Sequence, residues 1–388
     1  MCIIVEETAE SAGGLVCYAL FYTEANAIMK KIISILLTLT LIATLFAGCG
    51  NQQSVPSSAN DTTGKVKVVT TVFPVYDWAR EILGQEAEHV DLTLLLKNGV
   101  DLHSYQPSAE DLAAIADADV FVYVGGHSDT WVADALKNES NPNRIAINLF
   151  DVLGDSLKPL ELSEGMEHHH DHGDHDEHDH DEHDHDEHQH DEHQHDEHEH
   201  EEHEHHHHDG ENDENVWLSL TRAKAVVQAM AEEIAKADPA FADIYLSNAK
   251  NYEAKFDSLD QAYRDTVNSS SVNTLVFADR FPFFYMTDDY GLKYYAAFTG
   301  CSAESEASFE TVTILAHKID ELSLNNVINI ENRTHKIPET VIESTKNKNQ
   351  NILVMNSLQS VTKKQIMDGM TYLDVMKSNL DVLKTALQ

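Results

Sequence analysis

Residues Val90–Gly126 read VDLTLLLKNGVDLHSYQPSAEDLAAIADADVFVYVGG. Val90–Leu96 has the apolar, branched character of a strand. Ser108–Ala116 reads as a helix, with Ser108 as its cap and acidic residues in its first turn. Val120–Val124 is again strand-like. Strand, helix and strand in that order imply a βαβ unit and a parallel sheet. His103 then falls at the carboxyl end of a parallel strand, the place where open α/β sheets bind ligands.

The same rhythm extends in both directions. Upstream, Val66–Thr71 reads as a strand and Pro74–Leu83 as a helix opened by proline. Downstream, Asp129–Leu136 reads as a helix and Arg144–Leu149 as a strand. A second set of strands is expected at Thr274–Ala278, Tyr294–Phe298, Val327–Glu331 and Ile352–Met355. The helices between them are expected near Phe283–Asp289, Ser308–Leu322 and Pro338–Thr345, and Asp368–Leu387 closes the chain with apolar residues at helical spacing. Ser219–Val267 lies between the two sets. It contains no glycine and is broken at Asp238-Pro239, which predicts a helical pair with a long second member. The fold class expected is therefore α/β, with two Rossmann-like lobes of mostly parallel sheet joined by a long rigid helix. Such a spine predicts limited hinge motion.

The 388 residues are 42% hydrophobic, enough for one large or two medium domains. The formal charge of −41 is unevenly placed. Glu161–Glu214 holds 25 of the 67 acidic residues and no Lys or Arg, leaving 42 acidic against 26 basic residues elsewhere. Nucleic acid is not an expected partner of that surface, because phosphate binding needs a basic footprint. No GxxxxGK or GxSxG motif is present, and HExxH is matched only inside the histidine run, at His203–His207, so neither an ATPase nor a hydrolase is expected, and the chain is read as no enzyme.

At the N-terminus, Met29-Lys30-Lys31 precedes the apolar run Ile32–Ala47, which ends in Gly48-Cys49-Gly50. A basic start, a short apolar stretch and small residues before a Cys describe an export signal with Cys49 as the lipidated residue. The run is too short for a comfortable transmembrane helix. Residues 1–28 make little sense as part of that signal, so Met29 is read as the true start; Cys2 and Cys17 would then never exist. That leaves Cys301 alone, without a disulfide partner, and read as a small buried hydrophobe. The expected organisation is 1–49 as misassigned start plus lipoprotein signal and 50–65 as flexible tether. It continues with 66–160 as N-terminal lobe, 161–214 as acidic His-rich loop, 215–270 as linking helices and 271–388 as C-terminal lobe.

The His-rich loop carries 20 of the 25 histidines: His168, His169, His170, His172, His175, His178, His180, His183, His185, His188, His190, His193, His195, His198, His200, His203, His205, His206, His207 and His208. Its repeat Asp-Glu-His-x-His matches neither the helical nor the strand period, and it offers nothing apolar to bury, so disorder is expected. Neutral imidazole is a leading zinc ligand, and nickel, copper and cobalt suit it too. The interleaved carboxylates attract cations and raise imidazole pKa, so binding is expected to weaken below about pH 6. A polyvalent run of this kind is a collector rather than a single tight site.

The segment DLHSYQPSAEDLAAIADADVFVYVGG, together with DENVWLSL (Asp213–Leu220), the aromatic segment before Tyr290-Gly291-Leu292 and the C-terminal YLDVMKSNLDVLKTAL, resembles the zinc and manganese substrate-binding lipoproteins of bacterial ABC transporters. The resemblance covers roughly Val66 to Gln388. It implies a metal cleft between two lobes and an acidic His-rich loop where this chain has one. It also implies a ligand set of which only His103 is kept. The second His position, in a family motif D-P-H-V-W, holds Asn215, the third Arg280, and the fourth falls on Asn356. Amides are poor zinc ligands and protonated Arg is none. Substitutes are sought in Asp279, Glu331 and His335, with Glu304, Glu306 and His127 as further candidates.

The function so implied is capture of Zn²⁺, less readily Mn²⁺, at the extracytoplasmic face of a bacterial membrane by a lipid-anchored monomer. A separate ABC permease and its ATPase would receive the ion. The alternatives are a surface lipoprotein that buffers metal through the His-rich loop, and a receptor for another divalent metal such as Mn²⁺ or Ni²⁺.

Overall fold

The computed structural model describes residues 65–138, 140–166, 212–300, 302 and 306–388. The export signal, Cys49, the histidines of 168–208, Cys301 and Glu304 lie outside them. The first sheet comprises β1 (Val66–Thr70), β2 (Val90–Leu94), β3 (Val120–Tyr123) and β4 (Ile145–Asn148), all parallel in the order β2-β1-β3-β4. Its crossovers are α1 (Phe73–Leu83), α2 (Ala109–Ala116) and α3 (Val132–Ala135), and α4 (Leu149–Leu153) follows β4. Proline sits in the first turn of α1, where its missing N–H costs nothing. Ser108 and Asp111 form a reciprocal capping box on α2.

The helical pair is α5 (Leu220–Ala237) and α6 (Ala242–Ser269). The 28 residues of α6 span about 42 Å. The second sheet, β5 (Thr274–Phe281), β6 (Lys293–Thr299), β7 (Asn326–Ile330) and β8 (Asn351–Met355), is parallel in the order β6-β5-β7-β8. It thus repeats the topology of the first. All eight residues of β5 are buried, as befits a central strand covered on both faces. Its crossovers are α7 (Phe284–Tyr290), α8 (Phe309–Leu322) and α9 (Lys336–Ser344), and α10 (Lys363–Met367) and α11 (Tyr372–Ala386) end the chain.

The α/β class, the eight strands and the helical pair are as the sequence implies. Two helices differ. The stretch from Asp129 becomes a 3₁₀ turn, His127–Asp129, followed by the single-turn α3. The Asp129 carboxylate there accepts the Val124 and Gly125 amides at 2.9 and 3.0 Å, fixing the loop instead of capping a helix. The last helix starts at Tyr372 and not at Asp368, because Gly369, at φ 91°, interrupts the spiral and Thr371 caps its second part.

One continuous core runs through both lobes. Trp78 of α1 and Phe256 of α6 meet the Tyr372 ring of α11 edge-on, at 5.2 and 5.7 Å between centroids. The Tyr372 hydroxyl donates to the Trp217 carbonyl at 2.6 Å, and the Trp217 indole donates to the Ser357 carbonyl at 2.9 Å. The C-terminal helix therefore returns to the first lobe. A smaller core, with Val276, Ile319 and Val327, fills the far side of the second sheet.

Candidate functional site

The two sheets turn strand-end loops toward each other, and the side chains there come from five of them and from the segment 213–215 ahead of α5. His103 sits in the 3₁₀ turn Leu102–Ser104 after β2, held by buried Leu102 and by the Asp101 carboxylate, which accepts the His103 amide at 3.1 Å. Its Nδ1 lies 2.7 Å from Ser128 Oγ and 3.3 Å from Glu214 Oε2. Ser128 is itself bound to Glu214 twice: its hydroxyl donates to Oε2 at 2.5 Å and its amide to Oε1 at 2.8 Å. With the Ser128 proton so committed, its oxygen accepts Nδ1–H, and the Nε2 lone pair of neutral His103 faces the other way. A carboxylate that fixes an imidazole in this manner is the usual companion of a metal-binding histidine. Burial opposes ionisation of Glu214, but His103 and Ser128 beside it more than offset this and hold its carboxyl below the usual range. Gly126 makes the approach possible. It adopts φ +82°, and a Cβ there would lie 2.5 Å from Glu214 Oε1.

On the far side of His103, Gln359 Nε2 lies 3.3 Å from His103 Nε2 and donates to Asn215 Oδ1 at 2.8 Å. The Arg280 guanidinium, at the end of β5, spans the lobes: Nη2 donates to Asp101 Oδ2 at 2.9 Å and Nη1 to the Ser302 carbonyl at 3.3 Å. Its Nε is buried with no hydrogen-bond partner among the described residues. Glu331 follows β7, and its carboxylate accepts the Ser357 amide at 2.7 Å and the Ser357 hydroxyl at 2.6 Å. Burial pushes that carboxyl up, against the bonds from Ser357 and the charge of Arg280. Leu358 at φ 61° and Asn332 at φ 59° place two strained turns beside this group, Leu358 fully buried. Asp101, His103, Arg280, Glu331, Arg333 and Ser360 are among the residues that line a cleft of about 400 Å³.

His103 and Glu331 thus line one cleft, while the other expected ligands stand apart from it. Asp279 is buried, its carboxylate accepts the Arg280 amide at 2.8 Å, and burial raises its pKa. His335 is exposed just before α9, and His127 is exposed on the far side of Ser128. Glu306 is exposed and paired with Lys336 at 2.6 Å. Among the described residues, no three His, Cys, Asp or Glu side chains converge as a metal site. The last loop also needs a correction. The residue that reaches His103 is Gln359 and not Asn356, whose side chain accepts the Leu358 amide at 2.9 Å and caps the turn. Ser128, Glu214 and Gln359 were not among the expected site residues. The signal for Glu214 was present in DENVWLSL, where an acid precedes Asn215 in place of the proline of the family motif.

A family model described as zinc-uptake complex component A, periplasmic, matches residues 68–386. The high-affinity zinc uptake system protein ZnuA of Bacillus subtilis is 31% identical over 343 residues, covering 88% of this chain and 94% of the relative. The zinc-binding protein AdcA of Streptococcus pyogenes is 30% identical over 359 residues, but the matched part is only 61% of its length. Among solved structures, the metal-dependent lipoprotein YcdH of Bacillus subtilis superimposes with a TM-score of 0.61 at 26% identity, over 83% of this chain and 99% of that one. The Zn(II)-bound ZnuA-like domain of Streptococcus pneumoniae AdcA gives 0.59 at 26% identity, over 84% and 99%. Matched from the first strand to the last helix, this chain belongs to the zinc-uptake complex component A family.

Proposed function

We propose that the chain is an extracytoplasmic receptor that captures Zn²⁺ and passes it to an ABC permease driven by a separate ATPase. The observation that carries this reading is the family match over both lobes, joined to a cleft-lining histidine held by Glu214 and Ser128 with Nε2 turned away from them toward Gln359. Its relatives bear the names of zinc-uptake and zinc-binding proteins. No helix of the described residues is long and apolar enough to cross a membrane. Cys49 would carry the lipid that keeps a monomeric receptor at the outer face of the membrane, and the histidines of 168–208 would collect ions around it. The test is zinc uptake by cells lacking the chain. Uptake under chelation should return with the wild-type gene and fall with His103→Ala. Full uptake by cells without the chain would reject the reading.

A second reading, metal buffering by the His-rich segment alone, is favoured by one observation: three family ligand positions hold Asn215, Arg280 and, by its place in the structure, Gln359. In that case His103→Ala would leave zinc accumulation unchanged, while removing the histidines of 168–208 would abolish it.

A further inference from the structure

Tetrahedral zinc needs four donors, and the described cleft offers one imidazole. The amides of Gln359 and Asn215 are bonded to each other. The two cleft carboxylates are already engaged as acceptors. Asp101 takes the His103 amide and Arg280 Nη2, and Glu331 takes the amide and hydroxyl of Ser357. What is left over is a donor. Arg280 is 7% exposed, and its Nε has no partner among the described residues. Arg333 lines the same space. A guanidinium repels a bare dication, and it matches a carboxylate in charge and in planar geometry. The cleft's 400 Å³ also far exceeds the roughly 30 Å³ share of a single water, a volume comparable with a small ion.

We propose that this cleft takes zinc as a chelate of a small carboxylate-bearing molecule, with Arg280 pairing with the carboxylate and His103 Nε2 ligating the metal. The inference rests on the zinc-receptor reading and names the form of its cargo. The chelator supplies the donors that Asn215, Arg280 and Gln359 do not. Gln359, whose 3.3 Å contact with His103 Nε2 is long, gives up that contact to the metal.

The test is calorimetry on the full-length chain with the twenty histidines of 168–208 replaced by glutamine. The probes are ZnCl₂ alone, ZnCl₂ with L-histidine or with citrate, and each carboxylate alone; the two carboxylates separate amino from hydroxy acids. One equivalent should bind when zinc and one of the carboxylates are both present, about tenfold or more tighter than ZnCl₂ alone. Arg280→Gln should weaken it about tenfold, the size of one lost charge-assisted pair, and His103→Ala should remove it. Arg333→Gln, at the same cleft, reads the same pairing if Arg280→Gln fails to fold. A tight equivalent from ZnCl₂ alone overturns the proposal and leaves the receptor reading standing. Binding of a carboxylate equally well without zinc overturns the proposal as well, and no binding by any probe overturns it together with the receptor reading, as metal buffering by the histidines of 168–208 requires. Failure of the unmodified chain to bind zinc in any form would sink the receptor reading too.

Discussion

Glu214 has no counterpart in the family motif, yet it organises the one histidine that the site keeps. Its two oxygens take both donors of Ser128, and removing the carboxylate leaves the Ser128 amide and hydroxyl without that acceptor in a part-buried setting, with the hydroxyl free to turn its proton to His103 Nδ1. Glu214→Ala should therefore cost about 1–3 kcal/mol in urea unfolding. Glu214→Gln keeps one acceptor and should cost less. Nitrogen NMR of His103 should show the Nδ1–H tautomer in the wild type and a mixture in Glu214→Ala; a single unchanged tautomer would show that Glu214 does not set it. At this scale the sequence was only partly legible. His103 stood out because its loop follows a strand. Gln359 did not, because counting along a motif cannot show that Asn356 turns inward to cap Leu358 while the residue three places on reaches the cleft.

Elements were easier to read, since strand and helix periods are local and the caps are explicit in Ser108, Ser219, Ser308 and Thr371. The exceptions are elements whose ends are fixed from elsewhere, such as the loop that Asp129 ties to Val124. The joint between α1 and α11 shows the same dependence. Buried Asp77 of α1 accepts the Tyr372 amide at 2.7 Å, at the first turn of α11, and burial pushes its carboxyl up to about 6 despite that bond and Arg80. For an acid whose folded pKa is raised, the stabilising contribution is complete below the unfolded value near 3.8. It is lost as pH rises through about 6. Asp77→Asn removes this dependence. Compared with wild type, the variant should gain on the order of 2 kcal/mol on going from pH 4 to pH 7.5, read from urea midpoints. A constant difference between the two proteins would mean that Asp77 is ionised throughout. At the end of α8, exposed Ser323 adopts φ 54°, a left-handed cap that glycine takes without strain. Ser323→Gly should stabilise the protein by about 0.5–1 kcal/mol, and a lower melting temperature would refute that.

Two lobes repeating one topology suggest two folding units, and the alternating strands and helices led the sequence to the same division. The packing joins them. The residues that do so, Trp78, Phe256 and Tyr372, are scattered over nearly 300 positions, and nothing in their local patterns says that they meet. Trp217 and Ser357 extend the joint to the loops beside the cleft, and the Asp101–Arg280 pair closes it on the ligand side. The limited hinge motion expected from the long α6 is thus reinforced by a core that continues from one lobe into the other. Such a molecule should unfold as one cooperative unit, because neither lobe keeps its buried surface when the other opens. Tyr372→Ala empties the centre of the joint and removes the bond to Trp217, which places its cost at about 3–5 kcal/mol. Calorimetry should then show a single transition for both proteins, moved to lower temperature in the variant with its calorimetric and van't Hoff enthalpies still equal. Two resolved transitions, with only one of them moved, would mean that the lobes are independent and that α11 merely rests on the first. The cleft would in that case open by hinge motion, with the Asp101–Arg280 pair as its latch.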